Sequence, residues 1–304
     1  MFPGFDLERV RVADDVELRV RVGGEGPAVV LLHGHPRTHT TWHRVAPLLA
    51  DAGYRVVCPD LRGYGRSSKP DPDEDRRVYC DRTMAADVVA LAAHLGHERF
   101  AVVGHDRGSY VAYRAALDHP ERVSRLAVLD SIPVLEALER VDARFATAWW
   151  HWFFLGASPH AERVVAADPD AWYRLDAHTM GAENHADVRE AVSDPLTVRA
   201  MIEDYRAGLG PDRDADEADR AAGRRIECAT LVAWSRHDDM ADLYGDPAAV
   251  WQPWCSATVS SAVIDSGHHM AEEAPEQLAA VLTTHLAGDP VVPPGGSDAG
   301  LRQE

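Results

Sequence analysis

The sequence has little of what marks several large classes of protein. Its four cysteines lie far apart in 304 residues and form no CxxC pair, which predicts reduced thiols, with neither a disulfide framework nor a zinc site. No apolar run approaches the roughly 20 residues that cross a bilayer, so we expect no membrane span. The first ten residues contain neither a basic segment nor an apolar core of the kind found in secretory signals, which favours a cytoplasmic location.

Positive charge is also scarce. The formal net charge is −18, with 31 Lys and Arg against 49 Asp and Glu. This surplus of negative charge argues against nucleic acid and anionic membranes as partners. An anionic small molecule would need local basic groups to overcome the field of the whole chain. Because the sequence shows no dinucleotide fingerprint and no cluster of metal ligands, we expect a small-molecule substrate, no cofactor and no metal.

One stretch has the pattern of a catalytic turn. Residues 100–103 are a short apolar run, as in a buried strand, and they lead into GHDRG at residues 104–108. Glycines two positions on either side of a polar residue are typical of a nucleophile elbow, in which a strand turns sharply into a helix. The central residue is Asp106, where an esterase would have serine. A carboxylate is already charged and can displace a leaving group from saturated carbon, forming an alkyl ester on the enzyme.

Strand and helix signals alternate on both sides of this turn. An amphipathic hairpin is predicted first, at residues 9–12 and 17–22. The remaining predicted strands are residues 28–32, 54–58, 100–103, 123–129, 229–234 and 262–264. The predicted helices are residues 42–52, 83–95, 109–117, 247–254 and 276–286. Apolar strands alternating with helices predict an α/β protein with a mostly parallel, doubly wound sheet.

The alternation stops after the sixth strand. Residues 134–223 are mostly helical in pattern and rich in aromatic residues, which predicts a helical cap over the carboxyl ends of the strands. The core would then consist of residues 1–133 and 224–287. Residues 288–304 are rich in proline and glycine and have no apolar period, so we predict a disordered tail.

Longer segments resemble a known family. They are HGHPRTHTTWHRVAP at 33–47, GHDRG at 104–108, LAVLDSIP at 126–133, HWFFL at 151–155, EDYRAG at 203–208 and SGHHMAEEAP at 266–275. Together they resemble the fluoroacetate (haloacetate) dehalogenases of the α/β-hydrolase fold over nearly the whole chain. The resemblance implies that fold with its cap after the sixth strand, hydrolysis of the carbon–halogen bond of a short 2-haloacid, and a homodimer.

The resemblance also implies three catalytic roles. Asp106 would attack the carbon that bears the halogen, and His268 would activate the water that hydrolyses the ester. Asp130 would orient the His268 ring and stabilise its charged form. Many α/β-hydrolases place this acid after the strand that ends here near Trp234, which makes Asp238 a rival and Asp239 a weaker one. The dehalogenase resemblance favours Asp130, because it ends LAVLD.

Substrate-binding roles follow in the same way. The backbone amides of His35 and Arg107 would form an oxyanion hole. The Arg107 guanidinium would bind a substrate carboxylate, with pairing to a protein carboxylate as the alternative. The family has a second arginine four positions beyond the nucleophile, where this chain has Tyr110. With one guanidinium fewer, a bulkier 2-haloacid or a neutral substrate becomes more plausible than fluoroacetate.

The cap would supply the leaving-group site. By resemblance, His151, Trp152 and Tyr205 would donate hydrogen bonds to the departing halide. The alternative is that these aromatic residues form the core of the cap, which is the interpretation we prefer for Trp149, Trp150 and Phe153.

Two other functions remain open. An epoxide hydrolase would share Asp106 and His268 and would use cap tyrosines, such as Tyr205 and Tyr173, on the epoxide oxygen. Arg107 argues against it, because sequences that resemble epoxide hydrolases have a GHDWG-type elbow, with tryptophan directly after the nucleophile. A non-catalytic binding protein would have no need for a nucleophile, a base and an orienting acid together.

Overall fold

A mixed eight-stranded sheet forms the centre of the computed structural model, which describes residues 1–288. The strands are β1 (Phe5–Ala13), β2 (Val16–Gly23), β3 (Ala28–Leu32), β4 (Arg55–Pro59), β5 (Phe100–His105), β6 (Val123–Leu129), β7 (Ala229–Ser235) and β8 (Val259–Ile264). Their spatial order is β1-β2-β4-β3-β5-β6-β7-β8. β1, β2 and β4 pair antiparallel, and all pairs from β4 to β8 are parallel. The predicted α/β class with a mostly parallel sheet is therefore confirmed.

Helices connect the strands. They are α1 (Val45–Asp51), α2 (Asp81–His94), α3 (Arg107–Asp118), α4 (Val134–Glu139), α5 (Ala143–Ala148), α6 (Trp150–Ala157), α7 (Ala161–Ala167), α8 (Pro169–Tyr173), α9 (Ala177–Met180), α10 (Ala182–Val192), α11 (Pro195–Ala207), α12 (Arg213–Ala221), α13 (Met240–Tyr244), α14 (Pro247–Trp251), α15 (Met270–Glu273) and α16 (Pro275–Ala287). Short 3-10 segments occur at His39–Trp42 and Gln252–Trp254, and a π-helical segment at Gly208–Asp212 links α11 to α12. None of the helices in residues 1–288 is long and apolar enough to cross a membrane.

The two faces of the sheet are covered by different helices. In β3, Val29 and Leu31 belong to a cluster that includes residues of α1 and α16. Val30 and Leu32 belong to the other cluster, with residues of α2 and α3. Because successive side chains of a strand point to opposite faces, a run of apolar residues is the pattern expected for a strand covered on both sides.

The segment between β6 and β7 is helical, from α4 to α12, and contacts the core through polar groups. The Tyr64 hydroxyl donates to Asp204 of α11 at 2.5 Å, and the Tyr113 hydroxyl donates to Asp216 of α12 at 2.8 Å. The division into a core of residues 1–133 and 224–287 and a cap of residues 134–223 stays a prediction. The predicted disordered tail lies, except for Gly288, outside the described residues.

The structure adds short elements that the sequence patterns did not predict. α13 and α15 are single turns that immediately follow the loops carrying Asp238 and His268. Residues 211–219, a strongly acidic stretch of the sequence, form the end of the π-helical segment and most of α12. In this region Asp212, Asp216 and Asp219 are buried, because Arg114 and Tyr113 of α3 face two of them.

Candidate active site

A strained turn presents Asp106 between β5 and α3. Asp106 has φ 51° and ψ −122°, a conformation that residues with side chains rarely adopt and that costs about 1–3 kcal/mol. The turn is tight enough that a Cβ atom on Gly104 would lie 2.2 Å from the carbonyl oxygen of Gly108. The sequence spacing of the two glycines thus reflects a direct backbone contact, and the predicted elbow is present.

One oxygen of Asp106 is held by backbone amides. The His35 amide donates to that oxygen, Oδ1, at 2.7 Å, and the Arg107 amide donates to the same carboxylate group. Burial opposes the charged form, but the positive charge of His268 and the two amide hydrogen bonds outweigh it and lower the pKa of Asp106 below its ordinary value. The carboxylate is therefore ionised near neutral pH. The two amides are those predicted to form the oxyanion hole.

His268 lies between the nucleophile and two further acids. Its Nε2 is 3.8 Å from Asp106 Oδ2, and its Nδ1 is 2.8 Å from Asp238 Oδ2 and 3.6 Å from Asp130 Oδ2. Burial alone would lower the pKa of His268, but hydrogen bonding and charge from these three carboxylates raise it well above its ordinary value. The ring is therefore held in a fixed orientation and is strongly basic.

The preference for Asp130 over Asp238 does not match the observed hydrogen bonds. Asp238 makes the shorter contact with His268 Nδ1. The Asp130 carboxylate is instead bound by Ser235, whose amide donates at 2.7 Å and whose hydroxyl also donates. Asp130 remains close enough to act on the ring by its charge, so the catalytic roles of the two acids stay a prediction.

A cavity of about 230 Å³ opens beside these residues. Six of the predicted site residues line it: Asp106, Tyr110, Asp130, His151, Trp152 and His268. The other lining residues are Ala148, Trp149, Asp238 and Asp239. Residues far apart in the sequence, such as Asp106, His151 and His268, thus meet at one cavity.

Asp239 contributes more than its ranking as a weak rival suggested. It lines the cavity and accepts a hydrogen bond from Trp149 Nε1 at 2.8 Å. Burial and the neighbouring charge of Asp238 raise the pKa of Asp239 to about 6. Trp149 is therefore tied to the core as well as packed in the cap, where its ring stacks on Trp152 at 5.2 Å. Adjacency to Asp238 was the one sequence signal for this residue.

Arg107 is not free to bind a substrate carboxylate in the way that we expected. Its side chain is buried, and Nε and Nη2 both donate to the carboxylate of Asp204, with Nη2 also donating to the Asp204 carbonyl oxygen at 2.8 Å. Its guanidinium carbon lies 5.0 Å from the Tyr110 ring centroid and 4.8 Å from that of Tyr205. The stated alternative, a protein carboxylate as partner, is what the structure has. Asp204 directly precedes Tyr205 in EDYRAG, but nothing in that segment indicates its partner.

Aromatic rings surround the remaining predicted residues. The His35 ring centroid is 5.1 Å from that of Tyr205 and 5.5 Å from that of Tyr173, and the His151 centroid is 5.9 Å from that of Tyr205. Burial lowers the pKa of His35 to about 3 and that of His151 to about 4, so both imidazoles are neutral. A second cavity of about 540 Å³ lies on this side, lined in part by His35, His151 and Tyr173.

Ligand-type side chains also gather around His268. His105, His268 and His269 form one group with close ring nitrogens, and Asp130, Asp238 and His268 form another. Both groups contain His268, so an ion bound at either would occupy the position of the acid–base centre. A metal ion at the second group would use the two carboxylates that contact His268 Nδ1.

Comparisons with known proteins point in one general direction. A family model for the alpha/beta hydrolase fold matches residues 27–275. The chain is 42% identical over 296 residues to a fluoroacetate dehalogenase from Burkholderia sp, covering 94% of this chain and 95% of that protein. It is 32% identical to a soluble epoxide hydrolase from Corynebacterium sp. (strain C12), covering 83% and 87%. The crystal structure of ALR0039 from Nostoc sp PCC 7120 aligns with a TM-score of 0.90 at 37% identity, covering 94% and 99%.

Proposed function

Because this chain belongs to the α/β-hydrolase family, we propose that it is a hydrolytic dehalogenase that forms an ester on Asp106. The expected substrate is a short compound whose halogen lies next to a carbonyl group, as in the 2-haloacids. The observation that carries the proposal is that the two carboxylate oxygens of Asp106 have different partners. Oδ1 is held by the His35 amide, while Oδ2 faces His268 Nε2 at 3.8 Å.

The first step is a displacement at carbon. Asp106 Oδ2 forms a bond to the carbon, and the halide leaves with the electron pair of the broken bond. Trp152 and His151 line the same cavity, and their N–H groups would stabilise the growing charge. Since the pKa of His151 is lowered to about 4, its stabilisation would come from a neutral donor and not from an ion pair.

The second step regenerates the carboxylate. A water molecule attacks the carboxyl carbon of the Asp106 ester while His268 Nε2 accepts its proton. The negative charge of the tetrahedral intermediate falls on Oδ1, which already accepts the 2.7 Å hydrogen bond from the His35 amide. One such donor is worth about 10²–10³ in rate in other hydrolases. Asp238 and Asp130 stabilise the imidazolium that forms.

A specific observation favours epoxide hydrolysis as a second candidate. The rings of Tyr205 and Tyr173 both contact the His35 ring, with centroids at 5.1 Å and 5.5 Å, and burial raises the pKa of both phenols above their ordinary value. Both would therefore stay protonated and could donate to an epoxide oxygen. The 32% identical relative is a soluble epoxide hydrolase, which is consistent with this alternative.

Product analysis separates the two candidates. We expect halide release from haloacetates, 2-halopropionates or their neutral derivatives, and no diol from styrene oxide. Asp106→Ala should release no halide, and His268→Asn should accumulate the alkyl ester, visible as an added mass on the intact protein. Wild-type halide release by Asp106→Ala would refute the proposal, and diol formation without halide release would favour the epoxide hydrolase.

A further inference from the structure

The cavity beside the nucleophile is lined by an unusual excess of acids. Four carboxylates face it, and in the described part of the chain no lysine or arginine lines it. The four acids are Asp106, Asp130, Asp238 and Asp239. Only one group of opposite charge, His268, lies among them. Even with that ring protonated, the lining carries a surplus of negative charge.

The cation expected to offset this charge is engaged elsewhere. Arg107 is buried and bound by the carboxylate of Asp204, which neutralises it. At the position where the family resemblance would have a second arginine, Tyr110 presents a neutral phenol to the cavity. A substrate carboxylate would therefore meet like charges without a free guanidinium beside it.

Asp239 is the member of this set that the proposed reaction does not use. Asp106 is the nucleophile, and Asp238 and Asp130 approach His268 Nδ1, whereas the Asp239 carboxylate accepts a hydrogen bond from Trp149 Nε1. Its pKa, raised to about 6 by burial and by Asp238, is a sign that the site already disfavours additional negative charge. A carboxylate is also an acceptor only, so it can bind an N–H group of a ligand but not a second carboxylate.

We propose, on the basis of the dehalogenase function above, that this enzyme selects uncharged 2-halocarbonyl compounds with an N–H group, such as 2-haloacetamides, over 2-haloacids. Asp239 is the residue that sets this preference, by repelling a carboxylate and accepting from an amide. Specificity in this form combines an attractive contact with a repulsive one. The proposal assigns a role to a carboxylate that the chemistry of ester formation and hydrolysis leaves without one.

The reaction balances with water as the only co-substrate. For 2-chloroacetamide, Asp106 Oδ2 forms a bond to the CH2 carbon, and chloride leaves with the electron pair of the C–Cl bond. Water then adds to the ester carbonyl carbon and one of its protons passes to His268. The ester C–O bond on the Asp106 side breaks, His268 gives that proton to the departing alkoxide oxygen, and the carboxyl group of Asp106 releases the second proton of the water. The products are 2-hydroxyacetamide, chloride and one proton, and the Asp106 carboxylate is restored.

Two substrates that differ only in charge test the inference. We would measure chloride release from 2-chloroacetamide and chloroacetate, divide each kcat/KM by the rate of that compound with acetate ion, and subtract release by Asp106→Ala. The normalisation removes the greater intrinsic reactivity of the amide, and the subtraction removes alkylation of thiols. We expect a preference of about tenfold or more for the amide, the size that one unscreened like charge nearby produces.

Asp239→Asn is the decisive variant, because asparagine keeps the acceptor for Trp149 while removing the charge. The amide-to-acid ratio should fall about tenfold. Asp242→Asn is the matched control: Asp242 is exposed three residues further on in α13, and the ratio should not change. As a second measurement on the wild type, a sulfate salt should raise kcat/KM for chloroacetate more than for the amide, because it screens repulsion.

The outcomes are distinguishable. An equal or greater preference for chloroacetate, with the ester trapped in His268→Asn, would overturn the selectivity and leave the dehalogenase function standing. A ratio unchanged by Asp239→Asn would overturn the role of that residue. If neither compound releases chloride above the Asp106→Ala background and no ester accumulates, the proposed function itself fails.

Discussion

At the scale of single residues, the site is dominated by one imidazole among three carboxylates. His268 Nδ1 is closer to Asp238 than to Asp130, yet both charges raise its pKa, as does Asp106. In the resting enzyme these charges favour the imidazolium. In the proposed reaction, ester formation would remove the charge of Asp106, so the ring would become less basic at the step in which it has to accept a proton from water.

The first prediction concerns the pH dependence of ester hydrolysis. Because His268 must be neutral to act as a base, the hydrolysis rate should rise with pH through the pKa that His268 has in the esterified enzyme. Asp238→Asn removes one of the two carboxylates that raise this pKa, so the rising limb should move to lower pH by about one unit. Single-turnover hydrolysis of the ester, measured from pH 5 to pH 10, reports the limb directly.

Asp130→Asn is the comparison for this prediction. Asp130 is 3.6 Å from Nδ1 and is held by Ser235, so its removal should move the limb less than the removal of Asp238 does. A limb that moves only in Asp130→Asn would contradict the assignment and restore Asp130 as the orienting acid.

The sequence predicted some of these residues and not others for a physical reason. Asp106, His268 and the His35 amide belong to turns that follow strands, where short motifs fix the backbone. The partner of Arg107 is Asp204, 97 positions away in a helix of the cap. No local pattern encodes a pairing at that separation, so the arginine could be recognised while its engagement could not.

At the scale of elements, β3 and β5 end side by side and bring two loops into contact. Leu32 of β3 is the register partner of Gly104 of β5. The loop after β3 therefore passes close to the elbow, and a Cβ atom on Gly34 would lie 2.4 Å from Asp106 Oδ1. The oxyanion hole thus depends on a glycine in one loop as much as on the turn in the other.

The second prediction follows from this contact. Gly34→Ala should displace Oδ1 from the His35 amide and slow ester hydrolysis about 10²-fold or more, the effect of losing one oxyanion donor. Ester formation uses Oδ2 and should be affected less, so a burst of halide should precede a slow steady state. Rapid-mixing halide assays would measure both phases, with thermal unfolding as the control for folding. Equal loss of both phases would contradict the stated role of Oδ1.

The strands and helices were predicted well where a segment is continuously apolar or has a clear apolar period. β3 and β6 have the predicted bounds, and the other parallel strands differ by a few residues, because continuous apolar runs correspond to strands covered on both faces. α13 and α15 were not predicted, since a four- or five-residue helix has no apolar period of its own. Nothing in the acidic stretch 211–219 indicates that three of its carboxylates are buried, because the groups they contact lie in α2 and α3.

At the scale of the whole molecule, the large negative charge is partly internal. Cap acids face core groups at several points: Asp204 with Arg107, Asp216 with Tyr113 and Asp187 with Arg19. The Asp–Arg pairs contribute nothing to the net charge of −18, so the surplus rests on the remaining acids, and the arginines in these pairs are not free to offset it. The contact between segments 134–223 and the core depends on buried polar groups, which are weak sources of stability unless fully paired.

A buried acid at the contact between the core and segment 134–223, Asp81, gives the third prediction. It is buried at the start of α2, neither carboxylate oxygen has a hydrogen-bond partner among residues 1–288, and its amide donates to Asp212 of the cap. Burial and the charge of Asp212 raise the pKa of Asp81 well above its ordinary value. The helix dipole favours a carboxylate here by about 0.3–1 kcal/mol. The desolvation of an unpaired carboxylate, about 1–3 kcal/mol or more, outweighs that.

Asp81→Asn should therefore stabilise the protein at high pH and not at low pH. A raised pKa in the folded state means that the charged form is disfavoured by folding. The cost is therefore complete above that pKa, shrinks as the pH falls below it, and is gone only below the ordinary pKa of the unfolded chain, about 3.9. We expect the free energy of unfolding in urea to rise by about 1–3 kcal/mol at pH 8. The gain should shrink as the pH is lowered and approach zero only at about pH 3.5, where the carboxyl group is neutral in the unfolded chain as well. Asp242→Asn, on the exposed turn of α13, should show no such pH-dependent gain. A gain of equal size at both pH values would mean that packing, and not the buried charge between α2 and the cap, is what the substitution improved.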